Sequence, residues 1–209
     1  MLDGRRVAEE AWPFALGESP FRVRAAAYAE LVEFVDSHLS GGFVEALEDV
    51  DPAVLACFEE LPGADAWLDL TPLVHARRWC ARHCGLREEQ LGRKLARLRA
   101  ERQLRTWARW TLRIAPARLL ARRMPEVFGL QIDFAQVQAL ALDDGRVGGR
   151  IQGIPACLAE HVVGDACAHA ERVLELCAEG SRLRAGAPTV DGSEHGVDLV
   201  SVSFELELV

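Results

Sequence analysis

Val197-Asp198-Leu199-Val200-Ser201-Val202-Ser203-Phe204-Glu205-Leu206-Glu207-Leu208-Val209 reads as a β-strand. Leu199, Val200, Val202, Phe204, Leu206 and Leu208 alternate with Ser201, Ser203, Glu205 and Glu207. That period of two belongs to a strand with one face in a core and the other in water. Working backwards, Arg182 to Val190 reads as another strand, with a loop at Asp191-Gly192. Pro155 opens a helix that runs to about Glu179 and stops at Gly180. Asp144-Gly145 is a hairpin turn, with Ile132 to Ala141 entering it and Arg146 to Ile154 returning. Gly145, Gly148, Gly149 and Gly153 then read as hairpin and bulge glycines, not as a phosphate-binding loop.

Before Gly129 the period is helical. Ser19-Pro20, Asp51-Pro52 and Thr71-Pro72 each place a capping residue before a proline, which predicts three helix starts. The first helix covers about 20–39, with Ala27, Leu31, Phe34 and Val35 on one face. Short helices follow over Phe43 to Leu47 and Pro52 to Leu61, and a longer one over 72–84 stops at Gly85. The longest pattern spans 87–113, with Leu91, Leu95 and Leu98 at helical spacing. A last short helix runs from Pro116 to about Met124. The fold class is α+β: an N-terminal helical layer packed on a C-terminal antiparallel sheet with one crossing helix. A sheet this small needs helices over its apolar face, so 1–209 is one domain, with a helical half at 1–129 and a sheet-plus-helix half at 130–209.

The chain has 209 residues, a net charge of −8, 50% apolar and 27% charged residues, which implies a packed core and not disorder. It holds no apolar run long enough to span a bilayer, and its first residues have no apolar core of signal-peptide length, so a cytoplasmic location is expected. Charge is unevenly placed. Residues 25–75 hold eleven carboxylates and no Lys or Arg, whereas 76–123 hold fifteen basic residues against Glu88, Glu89 and Glu101. Neighbouring blocks of opposite sign can neutralise each other, or the basic one can receive an acidic partner.

Three groups of side chains carry possible chemistry. Arg93, Arg97, Arg105, Arg109 and Arg113 form a four-residue ladder, with Glu101 in its one gap and Trp107 and Trp110 beside it. The ladder suits a solvated, internally paired face, or a surface for an acidic or phosphorylated protein. Stacking of bases on the tryptophans would make it a nucleic-acid binder, which the net negative charge argues against. Cys80 with Cys84, and Cys157 with His161, stand four apart on predicted helices, a spacing an alternative zinc site could use. There is no CxxC, so the six cysteines read as reduced and mostly packed, and neither metal nor cofactor is expected. No catalytic motif occurs.

The chain resembles a myxobacterial paralogous family of unknown function over about residues 30–209. The resemblance rests on Leu91-Gly92-Arg93, Ala115-Pro116-Ala117-Arg118-Leu119-Leu120, Phe128 to Phe134, Gly153-Ile154-Pro155, Gly164 and the amphipathic last strand. It departs at the end, where the family tends to close in Trp and this chain closes in Val209. That family is distantly similar to vinyl-reductase-like ligand-binding domains, haem nitric-oxide-binding domains and small TRAPP tethering subunits. The resemblance implies helices on an antiparallel sheet. It also implies a haem histidine on the helix before the sheet, and Ile114 to Phe128 contains none. The reading is a non-enzymatic regulatory or sensory domain that binds a small apolar ligand or a protein partner. A homodimer is expected, through the helical layer or through a free edge of strand 197–209. The alternative is a metal- or haem-dependent sensor or enzyme.

Overall fold

The computed structural model describes residues 12–47, 50–106, 131–141, 147–177 and 181–208. Strand β1 (Arg22–Arg24) leads into α1 (Ala25–His38), followed by α2 (Gly42–Ala46) and α3 (Pro52–Glu59). Strand β2 (Trp67–Asp69), α4 (Leu70–His83) and α5 (Glu88–Thr106) complete the helical half. Then come β3 (Gln136–Ala141), β4 (Val147–Pro155), a 3₁₀ turn (Ala156–Leu158), α6 (Ala159–Cys177), β5 (Ser181–Ala185), β6 (Thr189–Glu194) and β7 (Val197–Leu208). The architecture is the expected α+β one: helices packed on an antiparallel sheet, with α6 crossing it.

The first and third proline signals act differently from expectation. Ser19 does not start a helix. Its hydroxyl accepts from the Phe21 amide at 3.0 Å, a local turn, and residues 22–24 then pair antiparallel with 67–69. No sequence periodicity marks these two three-residue strands. The α4 cap is Asp69, whose Oδ1 accepts from the Thr71 amide at 2.7 Å, so the helix starts two residues early. The Thr71 hydroxyl is committed elsewhere, accepting from Trp12 Nε1 at 2.9 Å. Asp51 does cap α3, accepting from the Ala53 amide at 2.9 Å. The predicted helix over 87–113 is α5 as far as Thr106, and its remainder lies outside the described residues, as does the helix at 116–124.

In the sheet, β3 pairs with β4, β4 with β7, and β7 with both β5 and β6 along its other side. The strand offered as one of two dimer surfaces, should it lie at an edge, is therefore the centre of the sheet, paired on both sides, and the strand-edge route is corrected. Arg182 to Val190 is not one strand but two, because β5 and β6 take successive lengths of β7. The same crowding changes the polar face: Ser201 is buried, not wet, and its hydroxyl receives the Arg150 guanidinium. Gly153 sits at φ +78° in the β4 bulge, where an added Cβ would lie 2.8 Å from the Phe134 carbonyl.

Two apolar clusters result. The larger joins α1–α4 and the start of α5 through Tyr28, Leu31, Phe34, Val35 and Phe58. The smaller lies where α6 rests on the sheet, with Ile151, Ile154 and Val200 against Ala159 and Val162. Helix α5 packs along α6.

Candidate functional site: the cavity between the layers

Between the helical layer and the sheet lies a cavity of about 150 Å³. Most of its wall is apolar. Leu73 and Val74 come from α4, Leu95 from α5, Val162 and Ala166 from α6, and Ile151, Val202 and Phe204 from the sheet. Helical spacing explains why three helices converge: each turns its apolar stripe inward, and the polar residues at the stripe margins come with it.

Those polar residues form a connected group. Arg77 on α4 makes a bidentate pair with Asp165 on α6, at 3.0 and 3.2 Å. Gly92 of α5 faces this pair: a Cβ there would lie 2.2 Å from an Arg77 nitrogen and 2.3 Å from Asp165 Oδ1. Glycine inside an exposed helix destabilises it by about 1 kcal/mol relative to alanine. Here it makes the room that the ion pair needs. Arg99, one more wall residue, pairs with Glu30 of α1 at 2.7 Å, the side chains being 17% and 11% exposed. Burial opposes the Arg99 charge, but the Glu30 carboxylate outweighs it and holds the guanidinium above its ordinary pKa. At the α5 start, His161 Nε2 lies 3.5 Å from Glu88 Oε1.

His169 is the most constrained of the group. It is 8% exposed, and its Nδ1 donates to the Ala96 carbonyl at 3.3 Å. Burial, helped by the Arg99 charge, pushes its pKa down to about 4, so the ring is neutral at pH 7. With Nδ1 carrying the proton, Nε2 is an acceptor, and it has no partner among the described residues.

The residues singled out by sequence divide differently. Arg93 and Arg97 lie on the outer edge of α5, pairing with Glu89 at 3.9 Å and Glu175 at 2.7 Å. The Arg105 side chain and all of Trp107, Trp110, Arg109 and Arg113 lie outside the described residues. The acidic block does meet the basic one, through Arg99–Glu30 and Arg102–Glu33, but Arg77 and Arg97 find acids of α6 instead. Cys80 is buried, and burial together with neighbouring Cys84 raises its thiol to about 12. Thiols held protonated are poor metal ligands. Among the described residues no three His, Cys, Asp or Glu side chains gather as a metal site, so Cys80, Cys84, Cys157 and His161 do not converge into one.

Sequence reasoning missed Arg77, Arg99, Gln131 and Asp165, and gave His169 no role of its own. Two signals were present. His161, Asp165 and His169 stand at i, i+4 and i+8 on one helix, and Gly92 interrupts an otherwise strong helix former.

No family model matches the chain, and no curated protein matches it, so the resemblance to the myxobacterial family finds no support. Solved structures match across most of the chain. "Cs H-NOX mutant with unnatural amino acid 4-cyano-L-phenylalanine at site 5" is 9% identical with a TM-score of 0.64, covering 88% of this chain and 96% of that one. An oxygen-binding H-NOX domain described as related to soluble guanylate cyclases is 10% identical with a TM-score of 0.58, covering 87% and 92%. An H-NOX protein from S. oneidensis, described in the Fe(II)NO ligation state, is 11% identical with a TM-score of 0.58, covering 88% and 99%. At such identities the likeness is one of fold. This chain is similar in fold to H-NOX domains, which agrees with the haem-nitric-oxide-binding side of the sequence resemblance. Among the described residues no helix is long and apolar enough to cross a membrane.

Proposed function

We propose that this chain is a non-enzymatic sensory or regulatory domain that takes a small ligand into the cavity between its helices and its sheet. The observation that carries the reading is the cavity itself: about 150 Å³, mostly apolar, at the meeting of α4, α5, α6 and the sheet. Ligand sites are concave and mainly apolar, with few convergent polar groups, and close-packed interiors rarely leave such a void unused. Occupancy there would bias how the two layers pack, which is the change a sensor transmits.

The fold neighbours raise the question of haem, since one is titled "Modulating Heme Redox Potential Through Protein-Induced Porphyrin Distortion". His169 has the chemistry of an axial ligand: a neutral ring whose second nitrogen is fixed by a backbone carbonyl. The rest of the wall does not fit. Pockets for drug-sized ligands run to roughly 300–1,000 Å³, against about 150 Å³ here. The Arg77–Asp165 pair, pressed against Gly92, also stands in the wall. Among the described residues, the wall is better shaped for a smaller group than haem.

A thermal-shift series with small aromatic probes and with haemin tests the reading. Stabilisation by the small probes, with no Soret band retained after gel filtration, is the expected result. One equivalent of retained haem whose Soret band is lost in His169→Ala would replace this reading with the haem-dependent one. The homodimer belongs to the same proposal, through the helical layer now that β7 is central. Sedimentation of a monomer at micromolar concentration would remove it.

A further inference from the structure

Among the described residues, five buried side-chain nitrogens or oxygens have no hydrogen-bond partner, and four belong to the cavity wall: Arg77 Nε, Gln131 Oε1, His161 Nδ1 and His169 Nε2. Unpartnered buried polar atoms are rare in native proteins and each is costly, so a cluster of four around one cavity marks a place for a hydrogen-bonding occupant. Their chemistry specifies it. His169 Nε2 and Gln131 Oε1 accept, and Arg77 Nε–H donates. The charges are already spent within the protein: Arg77 on Asp165, Arg99 on Glu30, Glu88 on Arg78. An anion or cation entering would break one of these pairs or be buried unpaired. The volume of about 150 Å³ is that of an engineered cavity known to hold benzene.

We propose that the cavity recognises a neutral, ring-sized molecule bearing a hydroxyl or N–H donor, the donor going to His169 Nε2 and the molecule's own acceptor taking the Arg77 Nε–H. A phenol-like compound has both functions on a body that suits the apolar wall. The inference rests on the ligand-binding reading above and adds the ligand's chemical class. Asp165 is the positioning residue, since its bidentate grip engages both terminal nitrogens of Arg77 and leaves Nε as the guanidinium nitrogen without a partner.

The test compares phenol, benzene and benzoate by calorimetry or ligand-observed NMR on the full chain. Phenol is expected to bind about 10- to 100-fold tighter than benzene, the range that one buried hydrogen-bonding partner is worth. Benzoate is expected to bind no better than benzene. His169→Phe should bring phenol down to the benzene level while benzene still binds, and His169→Gln, which keeps an acceptor, should restore part of the difference. If His169→Phe does not fold, Arg77→Lys serves: it keeps the charge facing Asp165 but removes the Nε–H, and phenol alone should weaken. Equal affinities for phenol and benzene would overturn the donor recognition, leaving ordered water as the partner of these atoms and the apolar cavity intact. Preference for benzoate would overturn the neutral class. Failure of all three to bind would remove the ligand-binding reading itself, and this inference with it.

Discussion

The core around α1 and the junction of α4, α5 and α6 are built from the same kinds of helix and end up opposite in character. Around α1, Tyr28 meets Phe58 at 4.6 Å between ring centroids and Phe58 meets Phe43 at 4.8 Å, with Leu31 and Val35 wholly enclosed. Aromatic and aliphatic side chains fill that space. At the junction, the helices enclose two ion pairs, two histidines, a glycine and a void. The first region lowers the free energy of the fold. The second gives up packing and hydrogen bonds, and a fold keeps such a region where a site needs it.

The comparison is broken most forcefully in the packed region. Leu31 is 0% exposed, so Leu31→Ala should destabilise the chain by about 2–5 kcal/mol in urea denaturation, through lost burial and the cavity left behind. Affinity for a cavity ligand should stay unchanged. A loss below about 1 kcal/mol would mean that this core is no tighter than the junction.

At the junction the largest effect should come from Glu30. Glu30→Gln leaves Arg99 with a neutral partner in a mostly buried place, and removing one half of a buried pair costs about 3 kcal/mol. Replacing both members, Glu30→Leu with Arg99→Met, should recover most of that loss, because the desolvation penalty goes with the charges. A double variant as unstable as Glu30→Gln would show that the pair stabilises in its own right.

How far the sequence was legible follows the same division. The sheet strand 197–208, the capped start at Asp51, the stop at Gly85 and the inward face of α1 were readable, because each depends on local periodicity or on one turn residue. Strands β1 and β2 were not: three residues carry no period, and they exist through pairing across more than forty positions. The central place of β7 was not readable either, since alternation reports one buried face but says nothing of which strands flank it. The polar cavity side chains come from α4, α5, α6 and residue 131, and the apolar wall adds residues of the sheet, so their convergence is a property of the packing. The arginine ladder drew attention because it is regular. The arginines that matter at the cavity, Arg77 and Arg99, fall off that ladder.

The pH dependence sharpens the contrast through a single group. His169 titrates near 4 in the fold and near the ordinary 6.5 when unfolded. As pH falls below 6.5 the unfolded chain takes up a proton that the folded chain does not, so stability drops. Stability is full above 6.5, and about 2 kcal/mol of it should go between pH 7 and pH 5. Urea midpoints measured across that range in the wild type and in His169→Gln should diverge as the pH is lowered, with the variant flatter. Parallel curves would place the His169 ring in water and not in the cavity wall.

The smallest effect belongs to the outer edge of α5, which is the region the sequence made most conspicuous. Arg97 reaches Glu175 at 2.7 Å, but the two side chains are 42% and 45% exposed, and Glu175 is shared with Arg172 at 3.0 Å. Water screens such a pair, and ordering two long side chains offsets much of the attraction, so exposed pairs contribute about 0–1 kcal/mol. Arg172 also keeps Glu175 partnered when Arg97 is removed. Arg97→Ala should therefore shift stability by no more than about 1 kcal/mol, and less at high salt, where screening extends to the pairs that remain. If the edge receives an acidic or phosphorylated protein, the same variant should weaken that complex while leaving cavity binding untouched. A stability loss of about 3 kcal/mol would contradict both readings, because only a buried pair is worth that much, and it would join the outer edge of α5 to the junction beneath it.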